Sequence, residues 1–265
     1  MAQKRKHKPS DLERELLIVS RKEKRLLEKR PAEFKARQAL YERVPLKVRG
    51  LLEAAFEKAF WMVFSRGTGV IEKTFDREEA KLRFEAADYI VNRRPVKKAL
   101  RQVEKGAKKD NLINTAATAA CGAGMGLLGL GLPDIPLTVG MMLKGIYETA
   151  LGYGADYESQ WERIYILRLI RAALCREEER QRWNGELEDM ETGGNTDRSL
   201  EEEIKITSKV LADALLVEKF IQGLPVVGAV GGAVNFCIYR KTAAWAAVKY
   251  KKRYLMGKAG GSDKA

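Results

Sequence analysis

"GAGMGLLGLGLPDIPLTVGMMLKG", Gly122 to Gly145, closes a run from Asn111 to Leu143 in which Asp134 is the one formal charge, within a chain otherwise dense in charge. Three structures suit such a stretch: a dinucleotide loop, a membrane span, or helices packed unusually close. Gly124, Gly126 and Gly129 fit the literal G-x-G-x-x-G spacing. That pattern binds a dinucleotide only between a strand and a helix, with an acidic ribose partner about 20 residues on. Here "TAATAAC" before it has little strand character and Pro133 follows soon after. The first half, "NLINTAATAACGAGMGLLGLGL", has the length of a span, for which about 20 apolar residues suffice. Its alanine, glycine and threonine content gains little from lipid compared with leucine, isoleucine, valine or phenylalanine.

Close helix packing fits best. Gly122, Gly126 and Gly129, with Ala119 and Ala123, make a smooth face, and a second uncharged run, Phe220 to Tyr239, repeats the pattern with Gly228 and Gly232 four apart. Each glycine costs a helix roughly 1 kcal/mol against alanine, so several together require a compensating contact. Pro133, Asp134 and Pro136 make a break and a restart: Asp134 suits a cap, and Pro136 suits a first turn, where a missing N–H does no harm. The first run is therefore one arm of an apolar hairpin, and Ile135 to Leu151 is the other, with Lys144 and Glu148 at i, i+4 on its polar side. Asn235, a polar residue in the second run, is placed to hydrogen-bond across a helix interface.

On either side the chain reads as further helices. Leu12, Leu16, Leu17 and Val19 recur at helical spacing in a highly charged segment, with Ser10 and Glu13 at capping-box positions. This segment, 1–43, reads as a solvated helical extension. Pro45 opens a helix with an apolar face through Val48, Leu52, Phe56, Phe60 and Val63. Another helix stops before Pro95, Lys97 to Lys109 is a short basic amphipathic piece, and Glu158 to Leu174 is a third apolar amphipathic helix. Residues 177–199 read as an exposed acidic loop, since Glu177 to Glu203 holds eleven acidic and three basic residues, a local charge of −8. The last helix leads into Arg240, Lys241, Lys249, Lys251, Lys252 and Arg253, interleaved with Trp245, Tyr250 and Tyr254, and 257–265 reads as a disordered tail. No strand alternation persists long enough to demand a sheet.

The fold class is thus all-α: a compact multi-helix domain, 44–256, built on a glycine- and alanine-rich apolar hairpin, with the charged N-terminal extension before it. With 49 lysines and arginines against 36 acidic residues among 265, the formal net charge is +13, which directs attention to phosphate-bearing partners. A single histidine, His7, in a basic terminus removes histidine triads and histidine metal centres from consideration. Cys121, Cys175 and Cys237 lie far apart among apolar neighbours and read as small buried thiols of a reducing compartment. The N-terminus lacks the apolar stretch of a secretory signal. No catalytic residues, metal or cofactor are expected.

Several stretches together resemble the bacterial EcsC family: "RGTGVIEKTF" (Arg66 to Phe75), "GLGLPDIPLTVGMMLKGIYETALGYGAD" (Gly129 to Asp156), "ERIYILRLI" (Glu162 to Ile170) and "GLPVVGAVGGAVNFCIYRKTAAWAAVKYKKRYL" (Gly223 to Leu255). Pro133 to Pro136 and Asn235 match the family's pattern. The resemblance covers most of Val44 to Leu255 and leaves the charged N-terminus outside. It implies a helical domain without catalytic residues to carry over, in a family named from a gene beside those of an ABC transporter.

The expectation is therefore a non-enzymatic protein at the cytoplasmic face of the membrane, associated peripherally. Gly122, Gly126, Gly129, Pro133, Asp134, Pro136, Gly228, Gly232 and Asn235 form its lipid or helix-packing surface. Arg240, Lys241, Lys249, Lys251, Lys252 and Arg253 meet anionic headgroups, because juxtamembrane cations and interfacial aromatics favour that level. The partner is anionic membrane lipid, and nucleic acid is disfavoured. The alternative is a soluble assembly factor for a membrane transporter, with the glycine runs as core.

Overall fold

A computed structural model describes residues 9–28, 45–65, 75–108, 134–194, 197–221 and 232–262. Among these the chain is helical throughout, without a strand: α1 (Asp11–Glu28), α2 (Leu46–Ser65), α3 (Arg77–Arg93), α4 (97–108), α5 (Asp134–Gly152), α6 (Gln160–Leu174), α7 (Glu177–Glu191), α8 (Leu200–Ile221) and α9 (Gly232–Ser262). The all-α class is correct.

Local chemistry sets the helix starts. Ser10 and Glu13 form a reciprocal capping box, the Ser10 amide donating to Glu13 Oε2 at 2.6 Å and the Glu13 amide to Ser10 Oγ at 3.2 Å. Ser199 and Glu202 repeat it at α8, at 2.8 and 3.3 Å. Asp76 caps α3 and Ser159 caps α6. Helix α5 begins at Asp134, where the sequence places the restart, and carries Pro136 in its first turn.

The core lies where α5, α6, α8 and α9 meet. Helix α9 packs on α1, α5, α6 and α8, while α8 also lies against α2 and α6. From Ile164 to Leu174 every residue of α6 is buried, Arg168 and Arg171 included. Phe56, Phe60, Met142, Leu143, Tyr147 and Tyr157 fill the interior, and the Tyr147 and Tyr157 rings stack at 4.3 Å. Each such apolar side chain contributes roughly 1.5–3 kcal/mol on burial.

Close backbone approach occurs at the described end of the quoted stretch. A Cβ at Gly145 would lie 2.8 Å from the ring of Tyr239, the last residue of the second uncharged run. At Gly152 it would lie 2.5 Å from Ala107, where α4 crosses the end of α5. The glycine-rich arm before Asp134 lies outside the described residues.

Three expectations are corrected. The N-terminal helix is not a solvated extension: α1 packs along α9 with Leu12, Glu15, Val19 and Glu23 buried. The acidic segment is not a loop from 177, because α7 buries Trp183, Leu187 and Met190 at i, i+4, i+7 and lies against α6. The disordered tail is also revised, since α9 continues through Gly257 to Ser262.

Candidate functional site

The cationic half of α9 was the expected headgroup surface, and the structure turns most of it inward. Lys249, wholly buried, lies 2.5 Å from Glu23 Oε1 of α1 and 3.7 Å from Glu191 of α7. Lys251 Nζ donates to Glu15 Oε2 of α1 at 2.7 Å and to Glu104 Oε2 of α4 at 2.8 Å. Lys252 reaches Glu23 at 2.6 Å and Glu188 at 3.3 Å. Arg253 donates to Glu162 Oε2 at 2.8 Å, and Tyr250 OH donates to the other oxygen of that carboxylate at 2.7 Å. The expectation that these four cations meet headgroups is therefore corrected: burying each charge demands a partner, and four other helices supply the carboxylates. Arg240 is exposed and Lys241 half-buried.

Of the expected lipid or helix-packing residues, Gly122, Gly126, Gly129, Pro133 and Gly228 lie outside the described residues. Asp134 opens α5, and Gly232 and Asn235 lie in the first turn of α9; Pro136 is exposed in α5. Lys144 and Glu148 pair at 3.9 Å, as their spacing predicts.

A second ionic cluster, which the sequence reading missed, lies beneath α7. Arg168 and Arg171 of α6 reach Glu203 of α8, each at 2.7 Å, and Arg198 joins them at 3.0 Å. Glu186 of α7 pairs with Arg171 at 3.3 Å and with Arg198. The Arg171 guanidinium also sits 4.2 Å from the Trp183 ring centroid. A pair of arginines at i, i+3 within an apolar run was the available signal.

Electrostatics reflects this burial. Burial acts to raise the pKa of Glu104, but Lys108 and Lys251 more than offset it and hold the carboxyl down to about 2 from an ordinary 4.5. Glu23 is also held low, burial being outweighed by Lys249 and Lys252. Glu162 goes the other way, because burial outweighs Arg253 and Tyr250. Burial pushes the Cys175 thiol up to about 12, so it is not a ready nucleophile. A depressed folded pKa adds stability that is complete above the unfolded value and fades as pH falls through the folded one. Glu104→Gln is therefore expected to lower the urea midpoint at neutral pH, with the gap from the native chain closing between pH 4.5 and about 2. A gap independent of pH would show that the ionised carboxylate contributes nothing special.

Where α9 passes α3, a cleft of about 290 Å³ opens between Phe84, Tyr153, Ala155, Tyr254 and Gly257. Its cations are matched: Lys258 by Asp88 at 2.7 Å, Arg253 by Glu162. Tyr254 OH also donates to Asp88, at 2.7 Å. The cleft thus offers aromatic walls with balanced charge.

These features define a helical domain whose last helix is surrounded by its neighbours and fastened to them by buried ion pairs. The EcsC protein family model matches residues 14–255, and the chain belongs to that family. The match begins inside α1, in keeping with the packing of that helix on α9. The chain is 28% identical over 146 residues to Protein EcsC of Bacillus subtilis (strain 168), an alignment covering 55% of this chain and 60% of that protein. No solved structure matches.

Proposed function

We propose that this protein works at the cytoplasmic face of the membrane as a peripheral, non-catalytic lipid-binding protein. The observation that carries the reading is that the two uncharged glycine- and alanine-rich runs lead into α5 and α9, which pack on one another through Gly145 and Tyr239. Two apolar stretches from distant parts of a strongly basic chain thus adjoin, in sequence, two helices that pack together. Among the described residues no helix is long and apolar enough to cross a membrane. Peripheral attachment through apolar surface plus cations is the mode that fits such a chain.

The test is flotation of the full chain with anionic and with neutral vesicles, followed by mass spectrometry of extracted lipid. Flotation confined to anionic vesicles and weakened by salt is expected. A protein that stays at the bottom of the gradient and carries no lipid overturns the reading.

The second reading, an assembly factor for a membrane protein such as a transporter, draws on α2, where Leu46, Leu51 and Met62 stand exposed. Co-purification of a stoichiometric protein partner, without lipid, would favour it.

A further inference from the structure

Helices α3 and α4 are joined by Arg94, Pro95 and Val96. Pro95 ends α3, and the Lys97 amide opens α4 by donating to Asp11 Oδ2 at 2.9 Å. The two helices run antiparallel, since Ala80, Phe84 and Ala87 of α3 face Val103 and Gly106 of α4 across a small gap. Each turns its small apolar residues inward, Ala80, Ala87 and Val91 from α3 and Ala99, Leu100, Val103 and Ala107 from α4. The last turn of α3 and the first of α4 therefore form one exposed tip.

That tip differs from the cationic part of α9. Arg93, Arg94, Lys97, Lys98 and Arg101 are all exposed, and none makes an ion pair among the described residues. From Tyr89 to Lys105 the one acidic residue is Glu104, and Lys251 and Lys108 occupy it. Asp11, at the edge, accepts the Lys97 amide and lies 3.7 Å from Arg14. Beside these cations, large apolar side chains point outward: Tyr89 is 59% exposed and Ile90 43%, and Leu82, at 65%, lies two turns earlier on the far side of the exposed Glu85. The Arg93 guanidinium lies 5.4 Å from the Tyr89 ring centroid.

We infer that this α3–α4 tip is the surface that meets anionic lipid. The inference rests on the membrane reading above and replaces the α9 lysines as its electrostatic contact. Uncompensated lysine and arginine attract a negative headgroup layer, and adjacent tyrosine and aliphatic side chains enter the boundary between headgroups and acyl chains. A phosphate in solution would need the cations but would leave Leu82, Tyr89 and Ile90 without a role. A membrane engages both sets at once.

Three full-length proteins test it against vesicles of phosphatidylcholine and phosphatidylglycerol: the native chain, the tip variant R93Q/R94Q/K98Q, and a control with equal charge loss elsewhere, K24Q/K58Q/K205Q. Each surface cation is worth about fivefold in partitioning, so the tip variant is expected to bind roughly a hundredfold more weakly, with the control much closer to native. Ile90→Ser is expected to weaken the binding that persists at high salt. Unchanged thermal unfolding confirms that the variants fold. If the native chain floats and the tip variant floats as the control does, the tip is wrong while the membrane reading stands. If the native chain does not float, the membrane reading itself fails. Oligonucleotide binding lost in the tip variant, without flotation, would make the tip a nucleic-acid surface and overturn the lipid assignment.

Discussion

Glu203→Gln is expected to lower the stability of the folded chain by about 3–5 kcal/mol, the usual consequence of removing one partner from a buried ionic cluster. Glu203 is wholly buried, and its carboxylate serves Arg168, Arg171 and Arg198. Burial acts to raise its pKa, but those arginines hold it below the ordinary value, so it is charged at neutral pH. An amide in its place leaves three guanidinium groups facing Glu186 alone, in a setting with little water to screen them. Pairing the change with a neutral partner, Glu203→Met with Arg171→Met, is expected to recover part of the loss, because a matched apolar pair avoids the stranded charge. Urea midpoints of the three proteins provide the measurement. A loss below about 1 kcal/mol for Glu203→Gln would place the cluster with ordinary surface pairs and refute its role in holding α6, α7 and α8 together.

Lys251→Met is expected to cost about 3 kcal/mol, and the loss should be local to α1 and α4. The substitution leaves Glu15 without its cation and Glu104 with Lys108 alone. Amide hydrogen exchange should therefore accelerate along Asp11–Glu28, while α6 and α8 stay protected. Flotation with anionic vesicles should be unaffected, since this ammonium is 7% exposed and already holds two carboxylates. The opposite result, intact stability with flotation abolished, would mean that the helix opens at the membrane and that Lys251 reaches headgroups after all.

Much of the helical layout was legible because its determinants are local. Ser10 with Glu13, Pro45, the stop before Pro95 and the restart at Asp134 each act within a turn of the residue concerned. The acidic helix α7 was hidden by its composition, although Trp183, Leu187 and Met190 already carried a helical period. The ionic interior was harder to read. Leu12, Glu15, Val19 and Glu23 share one face of α1, so two carboxylates stand in an apolar stripe, but the cations that justify them lie on α9. Lys249, Lys251, Lys252 and Arg253 point in several directions around α9, and a helix enclosed by neighbours has no single polar face to betray which cations are buried. From sequence alone such a run is indistinguishable from a basic surface, whereas the tip at Arg93 to Arg101 looks less conspicuous and keeps its charges outside.

The pairing of the first helix with the last also has a time scale. Lys251 lies 236 positions after Glu15, and Lys252 lies 229 after Glu23. At roughly 5–20 residues per second, a ribosome needs on the order of ten to fifty seconds to pass from the acids to their bases. Through that interval α1 has its glutamates and not the ammonium groups that neutralise them in the finished protein. Its docking is therefore completed only once α9 has been made and has left the exit tunnel.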